Sequence, residues 1–256
     1  MTFPCILATN YFPRSVWFLP KSASPSSVYA ICVRFRSIQM KIYQIAMLVV
    51  YILGIMTMIV MKSFNMGSRR RGVVKMICSA LFVAMAVAKT IGSTQQYKII
   101  ALVGVIFAAL GDFFLVFMDS HKLFVCGVLC FSVASLCFSV YTSLSFDWRW
   151  WFIVVFVLFI AAIVAGQITK IISFGRSVVC LNIYTALVAL CGCLGLTVLA
   201  HGTANMHAFL FGLGSFMYFA SDIVLGLYLY KFRNPVMDCI NTALYFPGLM
   251  LIALAL

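Results

Sequence analysis

The 256-residue chain has no glutamate and only five aspartates, and charged residues make up 9% of it. Soluble domains carry about 25% charged residues, and a globule this poor in charge cannot present a surface that water will hold. A water-soluble fold is excluded, and so is disorder, which requires low hydrophobicity. Proline is scarce too. Four of the six fall at Pro4, Pro13, Pro20 and Pro25, so the rest of the chain is almost free of helix breakers. No Cys-x-x-Cys pair occurs among the ten cysteines, and the three histidines are too dispersed for a metal pattern. The cysteines read as small apolar helix residues. No Asn-x-Ser/Thr acceptor is present, so nothing marks a glycosylated face.

What is present is apolar: 65% hydrophobic residues and a mean hydropathy of +1.13. The runs are continuous and about twice the roughly 10-residue alternating strand of a membrane barrel. A membrane helix needs about 20 apolar residues, and eight segments qualify: 42–61, 73–91, 98–118, 122–143, 149–168, 178–199, 205–230 and 236–256. The expected fold is all-α and integral to the membrane, an eight-helix bundle forming one domain over 41–256. Its short loops make sequential neighbours antiparallel and leave chemistry no place except inside the bundle or at its mouth. Residues 1–40 are expected to be a disordered leader or to lie outside that fold. Their acid-free, Ser-containing composition fits a transit peptide, whereas the prolines oppose the helix such a peptide needs. A start at Met40 is a further option.

The net charge of +13 would suggest nucleic acid in a soluble chain. Here the bases sit between apolar runs and read as juxtamembrane anchors, so no nucleic-acid partner is expected. Without residues 1–40, the bases divide 4 against 10. The excess favours a cytosolic location for the 1–2, 3–4, 5–6 and 7–8 loops, and including residues 1–40 makes it 8 against 10.

Asp119, Asp147 and Asp238 fall at span ends and read as solvated. Asp112 and Asp222 lie within spans three and seven. An ionisable group there costs about 2.5–3.5 kcal/mol and usually faces a bundle interior or pathway. Both spans run in the same direction, and the two carboxyls lie about 9 and 12 Å from the same membrane face at 1.5 Å per residue. The surroundings match as well. Gly104 precedes Asp112 as Gly214 precedes Asp222, Gly111 and Ser221 stand just before the acids, and Leu115 and Leu225 follow three later. The pattern suggests a 4+4 parallel duplication. Two carboxyls sharing a dry site can divide acid and base work, which suits ethers and acetals that cleave through an oxocarbenium-like ion. They equally suit a proton relay in a transporter.

These residues carry a resemblance. The pattern Gly104-x-x-Phe107-x-x-x-Gly111-Asp112-x-x-Leu115, with Gly214-x-x-x-Tyr218-x-x-Ser221-Asp222-x-x-Leu225, is similar to that of the YhhN-like transmembrane proteins, the lysoplasmalogenases. Eight spans and a basic residue opening span two, Lys75, agree. The resemblance implies a hydrolase without metal or organic cofactor. Its substrate would be a lysophospholipid in the bilayer, cleaved at the vinyl-ether bond to a fatty aldehyde and glycerophosphoethanolamine or glycerophosphocholine. It implies Asp112 and Asp222 as the catalytic pair, in either division of acid and base. Lys75 would bind lipid phosphate or snorkel to the interface. Tyr184 and Asn182 would line the pocket or bond between helices, with Tyr218 and Tyr245 beside them as substrate-binding residues. The lipid role points to the endoplasmic reticulum, although no targeting signal names it.

Three departures stand out: Lys75-Met76 in place of Lys-Pro, Ser135 in place of a histidine, and Tyr245-Phe246-Pro247-Gly248-Leu249 in place of a Tyr-Tyr-x-Ala-Gln-like ending. They keep a diverged, non-catalytic member in play beside the proton-coupled transporter. A small-residue stripe at Ala80, Ala84 and Ala88 suits either a homodimer face or packing within the bundle.

Overall fold

A computed structural model describes residues 25–64, 67–91, 95–116, 120–147, 149–169, 178–201, 205–230 and 234–256, without the side chains of 25–41, 68 and 69. Residues 1–24, Met118, Asp119, Lys170, Arg176, Lys231 and Arg233, which entered the readings above, lie outside the described residues, as do the side chains of Arg34, Arg36, Lys41 and Arg69. Among the described residues eight helices follow in order: α1 Pro25–Ser63, α2 Ser68–Thr90, α3 Lys98–Val116, α4 His121–Ser145, α5 Trp151–Ile168, α6 Val178–His201, α7 Met206–Tyr230 and α8 Pro235–Ala255. Each is long and apolar enough to cross a membrane, the qualifying part of α1 being Ile42–Ser63. The eight expected spans are all present, with ends shifted by no more than a few residues. α1 alone reaches well beyond its expected start at 42.

The chain divides into two compact units, Met1–Ala46 and Met47–Leu256. In the first, the described residues form the opening part of α1. The second holds everything that follows. Within it α2 packs on α3, α3 on α4, α4 on α6, α6 on α7, α7 on α8, and α8 returns to α2. Six helices thus close a ring. α5 joins from outside through α6 and buries none of its residues, which suits a helix bathed in lipid on most sides. α1 is tied to α8 where Tyr51 Oη donates to the Phe246 carbonyl oxygen, and it presses Gly54 against Cys78 of α2.

The ring has an internal equivalence. Advancing each contact by four helices carries α2–α3 onto α6–α7, α3–α4 onto α7–α8, and α4–α6 onto α8–α2. The contacts repeat at residue level too. Gly104 of α3 meets Phe138 of α4, and Gly214 of α7 meets Gly248 of α8, the same sequence interval separating the members of each pair. A Cβ on Gly214 would come within 2.7 Å of the Gly248 carbonyl oxygen. Only glycine lets two backbones approach so closely, as small residues do at membrane helix contacts. This is the packing expected of a 4+4 parallel arrangement, and it brings α3 and α7 into equivalent positions.

Four buried hydroxyls of α4 are satisfied within the helix. Ser132, Ser135, Ser139 and Thr142 of α4 each donate to the carbonyl four residues earlier, so α4 can bury them without a partner elsewhere. Pro247 is accommodated inside α8, which continues past it to Ala255. Ala80 and Ala84 are exposed on α2.

Candidate functional site

A cavity of about 430 Å³ opens at the end of the ring where α1, α3, α5 and α7 finish and α2, α4, α6 and α8 begin. That volume is in the range of small-molecule sites. Asp112 and Asp222 both line it, and they lie close enough for each charge to act on the other. The equivalent positions of α3 and α7 in the two halves produce this meeting. Each acid sits within the last turns of an odd-numbered helix, so both end at one depth.

The two acids are dressed differently. Asp112 is 1% exposed, and Lys75 Nζ lies 2.9 Å from its Oδ1. Ser79 Oγ donates to its Oδ2 at 2.6 Å. Lys75 and Ser79 are four apart on α2, hence on one face of the helix. A buried carboxylate needs such an ion pair and hydrogen bond to offset its lost hydration. Asp222 is in neither of the two ion pairs found among the described residues, Lys75–Asp112 and Lys62–Asp238. The Tyr184 side chain lies against its carboxyl, and its shielded Oδ2 has no hydrogen-bond partner among the described residues. Tyr245 stands beside Asp112 with its buried hydroxyl likewise unpartnered.

Aromatic rings separate and fix these groups. Tyr245 contacts Phe131, Tyr218 and Phe246 at centroid distances of 6.1, 6.0 and 5.0 Å, and Phe131 also meets Tyr184 at 6.5 Å. Phe131, Tyr184 and Tyr245 line the cavity directly. An apolar wing extends from them along Phe124 and Val128 of α4, Phe159 and Ile163 of α5, and Phe219 and Ile223 of α7. Its apolar composition suits a hydrocarbon chain. The mouth is polar. Lys62 pairs with Asp238 at 2.5 Å and donates to Thr242 Oγ1, while Arg71 and Asn241 also line the cavity.

The structure places the expected site residues Asp112, Asp222, Tyr184 and Tyr245 in one cavity and gives Lys75, Asn182 and Tyr218 other surroundings. Lys75 lines the cavity, but its ammonium is engaged by Asp112 rather than left free for lipid phosphate. Asn182 is exposed and accepts from Gln167 Nε2 across the α5–α6 contact, outside the cavity. Tyr218 is fully buried behind the lining, 3.3 Å from Ser135 Oγ. Sequence reasoning missed Ser79, Lys62, Arg71 and Asn241, and read Asp238 only as a solvated span end. The signal was helical spacing: Ser79 follows Lys75 by four, and Asn241 and Tyr245 follow Asp238 by three and seven. His201 and His207 bond the carbonyls of Thr197 and Ala255 on helix segments remote from this mouth.

No curated protein and no solved structure matches the chain. Residues 70–256, from the start of α2 to the end of α8 and including both aspartates and Lys75, match the YhhN family, and the chain belongs to that family.

Proposed function

We propose that this protein is a lysoplasmalogenase-type hydrolase, cleaving the vinyl-ether bond of a lysoplasmalogen inside the ring. The observation that carries the reading is the pair of unequal aspartates in one apolar-walled cavity. Asp112, matched by Lys75 and Ser79, serves as the carboxylate. Asp222, without a cation beside it among the described residues, serves as the proton carrier.

Asp222 hands its proton to the outer vinyl carbon, and the inner carbon becomes an oxocarbenium ion. The Asp112 charge and the rings of Phe131, Tyr184 and Tyr245 stabilise that cation. Water adds to it and gives its proton to Asp112, forming a hemiacetal. In collapse, the hemiacetal hydroxyl returns a proton to Asp222 while Asp112 protonates the departing glycerol oxygen. Aldehyde and glycerophospho-alcohol leave, and both acids are back in their starting states, so the cycle needs water alone.

Residence in the endoplasmic reticulum accompanies this lipid role, and co-localisation with a marker of that membrane tests it. The activity is tested with the full chain purified in detergent, offered a 1-alkenyl lysophospholipid and its 1-acyl counterpart with ethanolamine or choline head groups. The expected result is fatty aldehyde from the alkenyl lipid alone. A folded preparation that releases none with either head group overturns the reading.

A further inference from the structure

One face of α8 runs from the mouth of the cavity to its chemistry. Asp238, Asn241 and Tyr245 are spaced by three and four residues, so they lie on that face and are separated along the axis by about 4.5 Å and then about 6 Å. At the Asp238 end Lys62 is paired with Asp238, and Arg71 from the start of α2 lines the same cavity. The Tyr245 end stands beside Asp112. Between them Asn241 Oδ1 is shielded from outside and has no hydrogen-bond donor among the described residues. Native proteins rarely leave a buried acceptor unsatisfied, and one that lines a cavity is open to a donor from water or a ligand.

A glycerol phosphate lipid presents its groups in the same order: phosphate, then the hydroxyl of the middle carbon, then the ether oxygen. We infer that Asn241 is a specificity-determining residue that accepts a hydrogen bond from the free middle hydroxyl of a single-chain glycerophospholipid. The phosphate then lies by Arg71, and the ether reaches the depth of the two aspartates. A lipid with a second chain on that oxygen has no donor to offer and leaves Asn241 unsatisfied, so the site selects single-chain over double-chain lipid. This assignment rests on the proposed hydrolase reading, because that reading fixes which end of the lipid enters.

The test uses two uncleavable lipids, a 1-O-alkyl glycerophosphocholine with a free middle hydroxyl and its 2-O-methyl ether, binding to the full chain in detergent. The wild-type protein is expected to bind the methyl ether about tenfold more weakly, the effect of one lost hydrogen bond. Asn241→Leu is expected to bind the two lipids equally. If that variant fails to fold, Asn241→Ala, which also removes the acceptor, takes its place. Equal binding of both lipids by the wild type overturns the assignment, and so does a variant that keeps the tenfold preference. Binding of neither lipid overturns it as well. Aldehyde release from the alkenyl lipid, measured on the same preparation, separates the two readings. Release without hydroxyl discrimination removes only the Asn241 role, whereas discrimination without release leaves a lysolipid site and removes the hydrolase.

Discussion

The two halves of the ring share helix order, packing partners and the position of an intramembrane aspartate, yet they treat that aspartate in opposite ways. On α3, Asp112 has an ammonium and a hydroxyl supplied by one face of α2. On α7, the helix equivalent to α2 is α6, and it offers Asp222 the phenol of Tyr184. One scaffold used twice yields one acid with an ammonium beside it and one with a phenol. The repeat sets the meeting point, while divergence on the neighbouring helix sets what each acid meets there.

Breaking either acid is the largest perturbation. Asp112→Asn and Asp222→Asn are each expected to lower the aldehyde-release rate by about 10²–10⁴-fold, the usual range for a lost acid or base. Their stabilities should part company. Asp112→Asn strands the Lys75 ammonium and lowers the melting temperature, whereas Asp222→Asn strands no cation and leaves it unchanged or higher.

Lys75→Met comes next. It removes the partner of a carboxylate that is 1% exposed. Breaking such a buried pair costs up to about 3–5 kcal/mol, and less here because Lys75 is partly exposed. Adding Asp112→Asn to Lys75→Met should recover part of that stability, which a thermal melt of the double variant would show. A glycine comparison then probes the scaffold. Gly214→Ala meets backbone atoms of α8, and Gly104→Ala meets the Phe138 ring, which can shift. Overpacking costs about 1–3 kcal/mol, and the Gly214 variant is expected to melt lower. The smallest effects belong to Ser79→Ala and Tyr184→Phe. Each loses one side-chain hydroxyl beside an acid, with an expected drop in aldehyde release of about tenfold. Equal effects of the two would mean that both acids depend alike on their hydroxyl neighbours.

Much of this was legible in the sequence because bilayer physics is coarse. Eight apolar runs, interrupted by short basic loops, map directly onto α1 to α8. The shared register of Asp112 and Asp222 in parallel helices predicted their meeting, since depth follows from counting residues along a regular helix. Lateral relations were harder. Asn182 and Tyr184 are two apart on α6 and so face different directions, one toward Gln167 and the other into the cavity. Lys75 opens span two, but only the packing of α2 on α3 reveals that Asp112 claims it. Lys62 and Asp238 are widely separated in sequence, and no local pattern could pair them across the cavity rim.

Protonation of a vinyl carbon in this cavity would leave a deuterium label on the aldehyde. The full chain is run on a 1-alkenyl lysophospholipid in deuterated water, and the aldehyde is trapped by reduction as it forms. One deuterium on the carbon next to the former aldehyde carbon, with no product from Asp222→Asn under the same conditions, is the predicted result. An unlabelled aldehyde, or undiminished release by Asp222→Asn, would contradict the account.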